Sequence, residues 1–367
     1  MGSSLKKGRV AVVLSGGGAR GAFEIGVLKA LGAHGIEPDI YCGTSVGSFN
    51  CAMAAAGRPL GEIEQVWLEI RRSDVYRLRF DPLELLSLDP RPSLRLAVES
   101  VRALAGFLRE SLSARAHWWQ AINLDELLLD TSPLLDLISR NVNFEALRKS
   151  DKELYVALTR LKPTTGVPLH VAKTDEITDR HILASCSLPL IFPHVTIGDN
   201  VYCDGGIIMN SPLKPAVQAG ADQIYIVDLT PTPRAFRSPT LPLAYQILST
   251  QFSQALRQDI EYARNCNHLY MHAYREGTLV ENRLVLRRVD PMTGQEKEPK
   301  KYRYIDLCVI QPRDDTVGIE EFLDFSRESA EALIRQGERI AKSVLSSLEL
   351  REVKGRGGAT LQVMLPR

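Results

Sequence analysis

Five apolar residues in succession, Val10-Ala11-Val12-Val13-Leu14, open the readable part of the chain. A short, unbroken β-branched run of this kind predicts a strand buried on both faces of a parallel sheet. Ser15-Gly16-Gly17-Gly18-Ala19-Arg20-Gly21 interrupts it. From Ala22 to Ala33 the period changes to that of a helix, with Phe23, Val27, Ala30 and Leu31 on one stripe and Gly35 as the stop. Asp39-Ile40-Tyr41-Cys42 predicts a second short strand. Gly43-Thr44-Ser45-Val46-Gly47 follows it, and small residues from Ser48 to Ala56 suit a tightly packed second helix. Strand, glycine loop, helix, strand, tight turn, helix is the opening of an α/β sandwich.

Further along, residues 74–143 change character. Prolines 82, 90 and 92 punctuate Leu-rich pieces, Leu94, Val98, Val101, Leu104 and Leu108 keep helical spacing, and Trp118 and Trp119 follow a series of arginines. The segment reads as a helical cap insertion, either an ordinary amphipathic cover or a lid that meets lipid surfaces. Strand-like runs return at 154–158, 169–172, 201–203 and 224–229, and again at 269–274, 284–289 and 305–310. Residues 290–303 read as an exposed hairpin loop. An apolar stripe through 319–348 predicts a closing helix, broken near Gly337. The expected organisation is a flexible segment 1–8, one domain over 9–350 with its C-terminal completion at 215–350, and a loosely held tail, 351–367.

Composition narrows the classes. With 367 residues, 44% of them hydrophobic and 24% charged, a large core is available. Lys plus Arg (45) nearly cancels Asp plus Glu (44), so no global charge recommends a nucleic-acid partner. Six cysteines without C-x-x-C spacing do not make a disulfide framework, and Cys42, Cys51, Cys186 and Cys203 read as reduced packing residues. The Val10–Leu14 run is too short for a signal-peptide core, and no stretch reaches the ~18 apolar residues of a membrane span, so a soluble, cytoplasmic chain is expected.

Two glycine motifs carry candidate chemistry. Gly16-x-Gly18-x-x-Gly21 between strand and helix matches a dinucleotide fingerprint, but the second strand ends at Cys42 without the acidic residue that would hold a ribose. What survives is a run of backbone N–H groups beside a helix start, suited to an oxyanion as well as a phosphate. Gly43-Thr44-Ser45-Val46-Gly47 is the G-x-S-x-G elbow in its strand–turn–helix setting, which leaves the Ser45 hydroxyl proud of the sheet. The competing reading is a serine N-cap. None of the seven histidines (34, 117, 170, 181, 194, 268, 272) sits in a glycine-turn motif. His268 and His272, i and i+4 with Cys266 nearby, fall in a segment that reads as strand, so packing or surface roles are expected rather than metal ligation. Asp204-Gly205-Gly206 ends another strand. It would place a carboxylate beside close-approach glycines or form a plain Asp-Gly hairpin turn.

Taken in order, Gly16–Gly21, Gly43–Gly47, Ala184-Ser185-Cys186-Ser187-Leu188-Pro189 and Asp204-Gly205-Gly206 resemble the four blocks of the patatin-like phospholipases, of the bacterial type. The resemblance spans roughly residues 9 to 215. It implies an α/β fold, a three-layer α/β/α sandwich with a mostly parallel central sheet, a variant of the α/β-hydrolase theme. It also implies a serine lipid acyl hydrolase, of phospholipase A or esterase type, without cofactor or metal. By the same resemblance Ser45 is the nucleophile, Asp204 the general base, Gly17 and Gly18 the oxyanion donors and Arg20 the loop cation. Gly16, Gly21, Gly43, Gly47, Gly205 and Gly206 support these motifs, and Ser185 is structural. The partner implied is a lipid or phospholipid, with room for peripheral membrane contact. An acyltransferase using the same pair, or a lipid-binding module without catalysis, is the alternative.

Overall fold

A computed structural model describes residues 8–78, 129–161, 168–189, 192–230, 241–280, 284–289, 296–312 and 322–354. The chain opens with β1 (Val10–Leu14), α1 (Ala22–Ala33), β2 (Ile40–Gly43), α2 (Val46–Ala55), α3 (Leu60–Glu69) and α4 (Arg72–Val75). Two short strands, β3 (Arg77–Leu78) and β4 (Leu129–Asp130), pair antiparallel and bring together the flanks of residues 79–128. Of the predicted cap, 74–143, the part 79–128 with Trp118, Trp119 and the three prolines lies outside the described residues. Then come α5 (Ser132–Asn141), α6 (Phe144–Lys149), β5 (Glu153–Arg160), β6 (Leu169–Lys173), α7 (Asp179–Ser185), β7 (Val195–Ile197) and β8 (Asn200–Asp204). The rest is α8 (Gly206–Met209), α9 (Leu213–Gln218), β9 (Gln223–Val227), α10 (Leu241–Arg275), β10 (Leu284–Val289), β11 (Glu296–Tyr302), β12 (Asp306–Ile310) and α11 (Arg327–Lys354).

The central sheet runs β12-β9-β1-β2-β5-β8-β7, with β6 also paired to β5. Its β12, β9, β1, β2 and β5 strands are parallel, while β6, β7 and β8 add antiparallel pairs at one side. It is therefore a mixed sheet with a parallel centre. Alternation along β1 divides the core. Val12 and Leu14 join Phe23, Phe49, Ile63 and Ile334 on one face, and Ala11 and Val13 join Ala216, Ile224, Leu256 and Ile260 on the other. Strand residues pointing to both sides into separate apolar clusters make three layers, α/β/α, as the apolar run predicts. All six cysteines are free and buried.

Three expectations from the sequence need correction. Residues 269–274, read as strand, belong to the 35-residue helix α10. The stripe Leu256, Ile260, Ala263, Cys266, Ala273 is buried at helical spacing, whereas Leu269 and Tyr274 are exposed. The 290–303 stretch is not all loop, because Glu296–Tyr302 forms β11 against β10. Finally, α11 begins at Arg327 and runs unbroken through Gly337.

Gly337 has a different purpose. A Cβ there would stand 2.1 Å from the Phe23 carbonyl oxygen, and one on Gly26 would stand 2.0 Å from the Ile334 carbonyl oxygen. The two glycines let α1 and α11 touch backbone to backbone. Gly337→Ala gains about 1 kcal/mol of helix propensity, but forced separation of packed helices costs about 1–3 kcal/mol. The variant is expected to be less stable, with a lower urea midpoint; a higher midpoint would show that the helices part freely.

Candidate active site

The turn between β2 and α2 is strained. Ser45 has φ 53° and ψ −131°, the only non-glycine with positive φ among the described residues. Such a conformation costs of order 1–3 kcal/mol and persists only where the surroundings impose it. Here they do. The Ser45 N–H donates to Ser185 Oγ at 2.9 Å, and Ser185 Oγ donates onward to the Ala157 carbonyl at 2.8 Å. The Ser45 carbonyl accepts from Ser48 N–H at 2.8 Å and from Ser48 Oγ at 2.6 Å. Thr44 is held by its N–H to Leu14 O at 3.2 Å and by its hydroxyl to Met209 O at 2.8 Å. So sharp a bend also needs bare backbone: a Cβ on Gly47 would lie 2.3 Å from Leu14 O, and one on Gly43 would lie 2.5 Å from Ser48 Cα. The Ser45 side chain makes no capping bond to α2, which sets the N-cap reading aside.

Asp204 reaches the same place from another strand. Gly43 pairs with Val156 of β5, and Asp204 pairs with Leu158, two positions further along the same strand. Because β8 runs antiparallel to β5, its last residue emerges at the end where β2 turns. Asp204 is 3% exposed, its N–H donates to Ser187 O at 2.9 Å, and its Oδ1 accepts from Gly206 N–H at 2.6 Å. Gly205 leads directly into α8, so the Asp-Gly pair is no hairpin turn. Burial pushes the Asp204 carboxyl up to about 7, against the smaller opposing pull of the Gly206 N–H and the hydroxyl of Ser45. Ser45 and Asp204 are thus neighbours in a dry site.

The glycine loop closes the third side. A Cβ on Gly16 would stand 3.0 Å from Ser45 Cβ and 2.5 Å from Asn210 Oδ1. Asn210 ties the loop down, accepting from Gly16 N–H at 3.2 Å and donating through Nδ2 to Gly16 O at 3.3 Å. Gly17 lies under Leu229, and Gly18, with φ +58°, starts a 3-10 turn to Gly21 that runs into α1. The first N–H groups of such a turn have no acceptor within it. Gly206 abuts Asp204 Oδ1 and Gly205 abuts Ala157 O, while Gly21 packs on Val46 and Trp67. Arg20 lies within the 3-10 turn. It is buried, its charge favours the carboxylate of the buried Asp228, and its Nη1 finds no hydrogen-bond partner among the described residues.

Among the described residues no histidine bonds to either Ser45 or Asp204. His170 pairs with Glu176 at 3.2 Å, His181 Nδ1 meets Thr178 Oγ1 at 2.9 Å, and His34 bonds Ala30 O at 2.8 Å. His268 and His272 are exposed on α10, and His117 lies outside the described residues. Also among the described residues, no three His, Cys, Asp or Glu side chains gather in a metal-binding arrangement. Nor is any helix there long and apolar enough to cross a membrane.

Ser45 opens onto an apolar cavity whose walls include Phe49, Trp67, Leu134, Leu137, Phe192 and Phe322. Cys186 borders it too, a buried thiol beside Asp204 with its pKa raised by burial. Sequence motifs do not mark Asn210, which acts across 194 positions of chain. Ser185→Ala would leave the buried Ser45 N–H unpaired at about 1–3 kcal/mol. We expect it to lower kcat by about 10-fold or more on a short-chain ester while the fold is kept; unchanged kcat would show that the elbow holds without it.

Fold and site together define an α/β protein with a serine on a strained strand–helix elbow, a buried carboxyl beside it and a glycine loop alongside. A profile described as patatin-like phospholipase matches residues 12–217, more than half of the chain. The chain belongs to the patatin-like phospholipase family. It is 48% identical over 228 residues to patatin-like phospholipase domain-containing protein 7 of Rattus norvegicus, covering 60% of this chain and 13% of that protein. To the lysophospholipase NTE1 of Yarrowia lipolytica it is 27% identical over 223 residues, 60% of this chain and 12% of that protein. The chain thus spans only a small part of these relatives. Among solved structures, VipD of Legionella pneumophila aligns at a TM-score of 0.41 and 15% identity, over 93% of this chain and 67% of that one.

Proposed function

We propose that the protein is a lipid acyl hydrolase in which Ser45 and Asp204 act as a catalytic dyad. The observation that carries this reading is the strained Ser45 next to a carboxyl held near neutrality by burial. Ionised, Asp204 accepts the Ser45 proton as Oγ attacks an ester carbonyl. Backbone N–H groups of Gly17 and Gly18 stabilise the tetrahedral oxyanion, a role worth about 3 kcal/mol per donor in comparable sites. Protonated Asp204 then returns the proton to the leaving alcohol, and an acyl-enzyme on Ser45 remains. Water, deprotonated by Asp204, releases the fatty acid. The apolar cavity takes the acyl chain, which favours lipid esters over polar ones.

A fluorophosphonate tests the central step. It is expected to add one phosphonyl group per chain, on the peptide that contains Ser45. A chain that stays unlabelled, or is labelled at another serine with Ser45 unmodified, would sink the dyad and leave a lipid-binding module.

A further inference from the structure

Behind the cavity wall stand two buried polar side chains that the chemistry above does not use. Glu24 of α1 is completely buried, and burial pushes its carboxyl above the usual carboxylate range. Asn50 of α2 donates from Nδ2 to Glu24 Oε2 at 2.8 Å and to the Gly21 carbonyl at 3.0 Å. Its Oδ1 accepts from Trp67 Nε1 of α3 at 2.9 Å. These bonds decide which way the amide points. Reversed, it would set its NH2 against the indole N–H and its oxygen against the Gly21 carbonyl.

An apolar wall would be cheaper to bury, because desolvated polar groups stabilise only when every partner is in place. The network does something grease cannot: it locks one ring. The indole of Trp67 is 3% exposed, lines the cavity that contains Ser45, and has its Cζ2 2.9 Å from where a Cβ on Gly21 would be. Pinned at its N–H and pressed against the glycine loop, it cannot rotate aside as a leucine or methionine would.

We propose that Trp67 limits the length of acyl chain the cavity accepts, with Asn50 and Glu24 as positioning residues that hold its ring. The proposal rests on the reading of this cavity as the acyl site. A fully buried Asn–Glu pair reaching from the oxyanion loop to one aromatic wall then has a reason: the wall's position is set relative to the carbonyl being attacked.

The test is the chain-length profile of kcat/KM on p-nitrophenyl esters from butanoate to hexadecanoate. Trp67→Ala is expected to move the optimum to longer chains, each methylene newly admitted raising kcat/KM about 4-fold. Trp67→Phe, the milder change, shifts it in the same direction by less. Asn50→Leu frees the indole and broadens the profile, whereas Glu24→Gln, which keeps an acceptor for Asn50, retains the wild-type profile. A folded Trp67→Ala or Trp67→Phe that keeps the wild-type optimum, or loses all chain lengths alike, overturns the proposal. If wild type cleaves no ester, the hydrolase reading fails. Chain selection is then read from calorimetric binding of n-alkyl carboxylates to wild type and Trp67→Ala. A shift to longer chains supports the proposal; no shift, or no binding by either, overturns it.

Discussion

Ser45→Ala is expected to abolish both fluorophosphonate labelling and ester turnover, the latter by at least about 10⁴-fold, with circular dichroism unchanged. The magnitude follows from the absence of a substitute: the neighbouring hydroxyls of Ser48 and Ser185 are committed to the Ser45 carbonyl and to Ala157 O. The substitution should not unfold the protein. Alanine at φ 53° retains the strain that serine already bears, and the Ser185 bond is to the backbone N–H, which alanine keeps. Turnover within 10-fold of wild type would mean that the acyl group is never carried on this residue.

Asp204→Asn separates function from stability, because the two should move in opposite directions. Removing the base is expected to cost about 10²–10⁴ in kcat. Yet the folded protein holds this carboxyl near 7 against an ordinary value of 3.8, so between those values the native state binds more protons than the unfolded chain. Stability contributed by this group therefore falls as pH rises through that window, and the loss is complete above about 7. At pH 8 the asparagine variant, which has no charge to desolvate, is expected to be more stable than wild type by on the order of a few kcal/mol. The gain should vanish below the ordinary aspartate range. In wild type, kcat should rise with pH to a plateau reached just above the raised pKa, because only the ionised carboxylate can take the proton. Urea midpoints at two pH values and one pH–rate profile check all three statements. A variant less stable than wild type at pH 8, or a rate constant that stays flat down to pH 5, would remove Asp204 from the role of base.

How much of this was legible beforehand depended on range. The Ser45 elbow was readable because its requirements are local: a strand, a glycine-bracketed turn and a helix of small residues follow one another within about twenty positions. The same holds for the Gly16–Gly21 loop and for α1, whose bounds match the apolar period. The run 269–274 misled for the opposite reason. Six residues have strand-like composition in isolation, whereas their conformation belongs to a helix of 35 residues whose buried stripe passes through Cys266 and Ala273 and leaves Leu269 outside. Gly337 suggests a break when the sequence is read alone, but its bare backbone serves the close approach of the Phe23 carbonyl, a contact far away in the chain.

By itself the sequence determined most of the alternation of strands and helices and the turn that presents Ser45, which follow from short-range backbone preference and hydrophobic period. Asp204 was marked only by the resemblance that the four ordered motifs carry. Only the tertiary structure decided that Asp204 stands beside Ser45, that Ser185 and Asn210 hold the two loops, and that Glu24 and Asn50 fix Trp67. These depend on the antiparallel entry of β8 at Leu158 and on hydrogen bonds spanning 17 to 194 residues. No local pattern encodes such pairings. They arise when the layers close, and the same closure removes the water that would otherwise keep the Asp204 carboxyl an ordinary acid.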